Sequence, residues 1–279
     1  MKKNKFNNIK GITLAEILIG IVVSSIMMIA MYTSYNVVNN SYSQVTDRAK
    51  ISQTGRDIIG MLIRDIRMAG FKYFGDNIKT SNEHIPILIT KSVTVGSCCD
   101  QIDIVYGSIE YDKDATPHNT FVRYKITYLG KPSTIIDKKT SATAGSTNYI
   151  DAFAIYKSKK KWNSNANNWY DPSTDSNKAT YSDQLIVDYV QDMEFIAIGE
   201  DGLKISPPPT YTNANKEKVF KIKVVDIIIT TRSTKPFYKS NITKTILALG
   251  DSTRNITTTD KYLRDSIIVS AHARNLGLQ

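Results

Sequence analysis

Apolar and polar positions fall into two regimes along the chain. Residues 1–10 are polar and basic, and from Ile12 the sequence turns apolar, with nothing charged from Ile17 through Tyr32. Between Lys10 and Asp47 the only charge is Glu16. A run of about 20 apolar residues is what a helix needs to cross a bilayer. From Tyr35 the pattern becomes amphipathic. Ile58, Leu62, Ile66 and Ala69 fall on one helical face, while Asp47, Arg48, Lys50, Arg56, Asp57, Arg64, Asp65 and Arg67 fill much of the remainder. Gly70 is the expected C-cap, and Gly55 and Gly60 are expected to weaken the helix locally.

Beyond Gly70 the period shortens to two. Strands are expected at 86–90, 101–106, 121–129, 151–156, 191–198, 219–230, 244–249 and 266–274. Residues 185–190 read as a strand or a helical turn. The run 220–228 is almost continuously apolar, as in a central strand, whereas Ile267, Val269, Ala271 and Ala273 alternate with polar residues. The predicted class is α+β, one long N-terminal helix packed on a mainly antiparallel sheet. The expected division is a leader over 1–11, a membrane helix over 12–34, its amphipathic continuation over 35–70, and a β-rich head over 71–279.

Two segments resist that pattern. Residues 157–183 carry Lys157, Lys159, Lys160 and Lys161 beside Trp162, Trp169 and Tyr170, amid Asn, Ser and Thr. They read as an inserted loop whose aromatics pack back on the domain, or as a surface that takes nucleic acid or a surface polymer by charge and stacking. Pro207, Pro208 and Pro209 form a stiff extended connector.

Composition adds little to the class and something to the partners. The 279 residues carry a formal charge of +10, with Lys2, Lys3, Lys5 and Lys10 in the first eleven positions. Such a chain suits anionic partners, lipid headgroups, nucleic acid or surface polymers among them, but no dense basic stripe singles one out. Lysines on one side of the apolar run direct the amino terminus to the cytoplasm and the rest outward. The two cysteines, Cys98 and Cys99, are neighbours. They read as small buried or loop thiols or, in an oxidising compartment, as a vicinal or intermolecular disulfide.

Signs of catalysis are sparse. His84, His118 and His272 are far apart, with no metal-protease motif and no phosphate loop, and no cofactor or metal set is indicated. Leu249-Gly250-Asp251-Ser252 is similar to the nucleophile block of GDSL hydrolases. That family's downstream Asp-x-x-His is missing here, so Gly, Asp and Ser read as a turn. An enzyme on a membrane tether rests on that block alone.

The apolar run admits three readings. A secretory signal would be shorter and end in a small-residue cleavage site. An ordinary anchor leaves Glu16 unexplained, since a carboxylate within a membrane costs about 2.5–3.5 kcal/mol. The third reading covers the whole arrangement. Lys10-Gly11-Ile12-Thr13-Leu14-Ala15-Glu16 resembles the prepilin processing signal of type IV pilins and type II secretion pseudopilins. The resemblance implies cleavage by a membrane prepilin peptidase between Gly11 and Ile12, and methylation of the new Ile12 amine. It gives Glu16 the task of neutralising a neighbouring subunit's terminal amine, and it puts Ile12 where the family usually has Phe.

Later segments are similar to minor pilins of the PilW type. These are Leu62 to Phe71 (LIRDIRMAGF), Asp100 to Tyr106, Val187 to Gly202 (VDYVQDMEFIAIGEDG), Val224 to Arg232 (VVDIIITTR) and Ala273-Arg274-Asn275. The resemblance implies a non-enzymatic subunit assembling with other pilins on an inner-membrane platform, its head periplasmic and then at the cell surface. Adhesion, twitching motility or DNA uptake would be the wider role, and a J-type pseudopilin of a secretion system is the structural alternative.

Overall fold

The computed structural model describes residues 11–71, 84–92, 98–111, 113, 116–132, 152–170, 179–208, 218, 220–248 and 254–276. The expected leader up to Lys10, the Asp251-Ser252 turn and Pro209 lie outside the described residues. Two compact units are present, Met1–Asp47 and Arg48–Gln279.

A single helix, α1 (Leu14–Met68), runs from the first unit into the second. In the first unit most of its side chains are exposed, apolar ones such as Leu14, Ile19, Ile26, Met28 and Met31 included. The helix is long and apolar enough to cross a membrane. Its few hydroxyls there bond back to their own helix, Ser25 Oγ donating to Ile21 O at 2.8 Å and Thr33 Oγ1 to Ala30 O at 2.9 Å. A helix that satisfies its own polar groups is suited to hydrocarbon, where no water can do so.

In the second unit one face of α1 is buried, through Ile51, Gly55, Ile58, Ile59, Leu62, Asp65 and Ile66. The helix runs unbroken through Gly55 and Gly60, where local weakening is expected. A Cβ at Gly55 would stand 2.5 Å from Ile267 Cδ1, whereas one at Gly60 would meet nothing within 4 Å. Gly55 therefore marks a close approach to the sheet, and burial on either side outweighs its low propensity. Gly70 caps the helix in the left-handed region (φ 73°). Its N–H donates to Val105 O at 2.9 Å, and Asn275 Nδ2 donates to Arg67 O at 2.9 Å.

The sheet is antiparallel throughout. Its strands are β1 (Ile87–Thr90), β2 (Gln101–Tyr111), β3 (Asn119–Pro132), β4 (Phe153–Asn163), β5 (Asn168–Trp169), β6 (Tyr181–Ile198) and β7 (Val224–Arg232). A separate hairpin, β8 (Ile242–Ile246) and β9 (Ile256–Asp260), precedes β10 (Arg264–His272). The order is β1-β2-β3-β4-β6-β7-β10, with β5 pairing with β4. The core lies between the helix face and alternate sheet residues, Ile104, Tyr124, Ile126, Tyr128, Phe195, Ile227 and Ile229 among them. Each such side chain contributes about 1.5–3 kcal/mol on burial.

Two expectations are corrected and one open alternative is decided. Residues 157–163 belong to β4 and 168–169 to β5, so the basic segment is strand rather than inserted loop, with 171–178 outside the described residues. Residues 185–190 extend β6, whose register shifts against β4 and β7 bend an 18-residue strand. The strand expected from 219 begins at Val224.

Candidate functional site

Thr13 stands at the N-cap of α1 and Glu16 three residues on. Glu16 N donates to Thr13 Oγ1 at 3.3 Å, and Thr13 N and Oγ1 donate to Glu16 Oε2 at 2.8 and 2.9 Å. This is a reciprocal capping box, and the T-x-x-E spacing announces it in the sequence. It gives Glu16 a local reason to exist beside any role between subunits. Both Glu16 oxygen contacts fall on Oε2. Gly11 and Ile12 are exposed, and a Cβ at Gly11 would meet nothing within 4 Å. Among the described residues, nothing packed against that position requires glycine.

A second constellation ties α1 to the middle of the sheet. Asp65, with a side chain 1% exposed, receives the Lys157 ammonium at 2.6 Å and the Tyr128 hydroxyl at 2.6 Å, both on Oδ2. Burial, with the Asp65 charge beside it, pushes the Tyr128 hydroxyl far above its ordinary pKa. Lys157 also stands 5.2 Å from the Tyr128 ring centroid.

Two more lysines of the basic run are engaged similarly. Lys159 lies 4.1 Å from the Tyr124 ring centroid, and Lys161 pairs with Glu110 at 2.6 Å. Lys157, Lys159 and Lys161 stand opposite Tyr128, Ile126 and Tyr124 on β3, and hence on one face of the sheet. Trp162 and Trp169 pack edge to face at 5.1 Å, and His84 meets Trp162 at 4.4 Å. Burial, helped by Arg123 and Lys125, pushes the His84 imidazole down to about 4. The aromatics thus pack back on the domain, apart from Tyr170, which stays 38% exposed.

A third cluster centres on Asp100, which is fully buried. Lys91 Nζ reaches it at 2.7 Å and Glu194 at 3.4 Å, while Arg254 pairs with Asp100 and, at 2.8 Å, with Asp192. Burial pushes the Asp192 and Glu194 carboxyls upward, opposed by Arg254 and Lys91. Cys98 and Cys99 lie beside this cluster with their sulfurs bonded to one another, packed over Gly130. Their Sγ atoms and an Asp192 oxygen lie within 4.8 Å of one another, the one grouping of metal-ligand type among the described residues. Each of these groups already has a protein partner.

The structure does not gather the remaining sequence candidates. His118 stacks near Tyr111 at 5.9 Å, His272 is exposed, and Ser252 lies outside the described residues. The Asp65 tie and the Arg254 clamp had no sequence motif.

No family model and no curated protein matches the chain. Among solved structures, it is similar to a type IV-like pilin, TTHA1219 from Thermus thermophilus. The identity is 10% and the TM-score 0.46, over 81% of this chain and 96% of that one.

Proposed function

We propose that the chain is a minor pilin of the PilW type, a structural subunit of a type IV pilus. The observation that carries this reading is the start of α1. An exposed Gly11 with no packing duty among the described residues is followed directly by a capped, apolar, exposed helix whose later half is buried on the sheet. A glycine that the chain itself does not need points to a partner that reads it, here a prepilin peptidase cutting between Gly11 and Ile12. The apolar half of α1 then holds the subunit in the cytoplasmic membrane, with lysines inside and the head outside.

Assembly moves that half from lipid into a bundle of like helices. Gly20, whose missing Cβ would meet nothing within 4 Å, suits close approach of a neighbouring helix. The Ile12 amine, methylated after cleavage, carries a charge that is costly away from water. Glu16 Oε2 is held by Thr13, which fixes the carboxylate's direction and leaves Oε1 to meet a neighbour's amine. The capping box thus aims the group that assembly uses.

The test is intact mass after expression in a bacterial membrane with and without a prepilin peptidase. Loss of residues 1–11 with gain of one methyl group, abolished in Gly11→Val, is expected. An unprocessed chain, or a cut beyond Tyr32, overturns the reading. Glu16→Gln should be processed normally yet enter pili poorly.

A further inference from the structure

The Asp65–Lys157 contact is short of hydrogen bonds for a buried pair of ions. Lys91 and Asp100 show the fuller arrangement. Asp100 accepts from Lys91, Arg254 and the Ser92 and Phe195 N–H groups, while Lys91 donates to Asp100, Glu194 and Phe195 O. Asp65 and Lys157 are enclosed, their side chains 1% and 8% exposed. Among the described residues, the one oxygen that meets Lys157 Nζ is Asp65 Oδ2 at 2.6 Å, with the Tyr128 ring alongside. Asp65 Oδ1 accepts no hydrogen bond there, and the exposed Arg64 comes only to 3.9 Å.

An ammonium has three donors and a carboxylate about four sites that accept, so most of this capacity goes unused. Charges so poorly solvated are held at a cost, and passing one proton from Lys157 to Asp65 removes both of them. An amine then faces a carboxylic acid at contact distance in a dry interior, where proximity stands in for concentration. We propose that Lys157 and Asp65 condense to an intramolecular isopeptide bond that joins β4 to α1.

The Nζ lone pair attacks Asp65 Cγ to form the C–N bond. Oδ2 then leaves Cγ with its bonding pair, as water. Both hydrogens of that water come from the ammonium and the third stays as the amide N–H, so no oxidant or co-reactant is used. Tyr128 donates to Oδ2 at 2.6 Å and stabilises the negative charge that gathers on it as it departs. Oδ1 becomes the amide carbonyl, a neutral acceptor whose missing partner costs less than that of a charged oxygen.

The chain folds with the ion pair in place, and the bond accumulates afterwards. It ties residues 92 positions apart, so a pull along α1 reaches the sheet through a covalent link. Both residues belong to the Arg48–Gln279 unit, and the reaction does not depend on the processing of Gly11.

The experiment is intact mass of the full chain in lipid nanodiscs, taken when fresh and after days at neutral pH. The aged chain is expected to fall by the mass of one water. Trypsin should then release a branched peptide in which Asp65–Arg67 is joined to Thr140–Lys159, because cleavage after Lys157 is blocked. That peptide separates the bond from a cyclised aspartate elsewhere, which sheds water without joining two segments. It is read in the parent chain, so the result does not depend on how any variant folds. Lys157→Arg keeps a cation beside Asp65 and should lose no water, while Tyr128→Phe should slow the loss at least about tenfold. An aged chain of full mass, water loss without the branched peptide, loss that persists in Lys157→Arg, or an unchanged rate in Tyr128→Phe overturns the proposal.

Discussion

Replacing Asp65 with alanine should loosen the helix from the sheet more than any other single polar change in α1. The carboxylate accepts from Lys157 and Tyr128 on one oxygen, and the Lys157 side chain is only 8% exposed. Asp65→Ala would strand a buried ammonium and a buried hydroxyl together. Breaking a buried pair from one side costs about 3–5 kcal/mol, most of it the penalty of the charge left behind. The Tyr128 ring, 5.2 Å from Lys157 Nζ, would retain about 1 kcal/mol of attraction. The expected loss is therefore about 3 kcal/mol, read as a shift in urea midpoint by Trp162 and Trp169 fluorescence on the full chain in detergent. A control separates electrostatics from shape. Asp65→Leu with Lys157→Met and Tyr128→Phe removes all three polar partners and should return to within about 1 kcal/mol of the parent. A loss under about 1 kcal/mol in Asp65→Ala would mean the pair is solvated and holds nothing. A triple variant no better than the single one would refute the account just as directly.

Other outcomes follow from the same structure. Gly60→Ala should stabilise by about 0.5–1 kcal/mol, because its Cβ meets nothing and alanine is the better helix former. Gly55→Leu should cost about 1–3 kcal/mol by pressing on Ile267, and thermal melts of both variants check the pair. His84 titrates at about 4 in the fold against an ordinary 6.5, so between those values the unfolded chain binds the extra proton. Its stabilising contribution is therefore complete above pH 6.5 and drains away as pH falls toward 4. His84→Phe should flatten that slope, measured as the urea midpoint at pH 7 against pH 4.5; an unchanged slope would refute it. Arg254→Ala should detach the β8–β9 hairpin from the sheet by leaving Asp100 and Asp192 short of a cation, seen as faster amide exchange in β9.

Periodicity made most of the architecture legible. The apolar run and the Ile58–Leu62–Ile66–Ala69 stripe announce α1, and alternation locates most of the strands that carry apolar residues. β9 escaped because Ile256–Asp260 is four-fifths polar and half exposed, which leaves no apolar period to read. The basic stretch in β4 was misread as a loop because lysine is poor in strands. Its own spacing, lysines at 157, 159 and 161, is nonetheless a strand period, each stem lying along the sheet. Asp65 lies three positions after Leu62, on the buried stripe, yet reads as one more polar residue. Its partner is 92 residues away, and no local pattern joins them. At the start of α1 the T-x-x-E cap was legible in the spacing of Thr13 and Glu16, and it gives Glu16 a local cause.

The helix end raises a matter of timing. Arg67 O is bonded by Asn275, 208 positions later, and Leu276 closes over Gly70. As the chain emerges from its N-terminus, the stripe through Ile58, Leu62 and Ile66 therefore exists long before the strands that cover it. A newborn chain carries that stripe uncovered while β6, β7 and β10 are still being made, and long-range pairing is slow to follow. For this protein the hazardous interval is birth, before the strands that cover that stripe have been made.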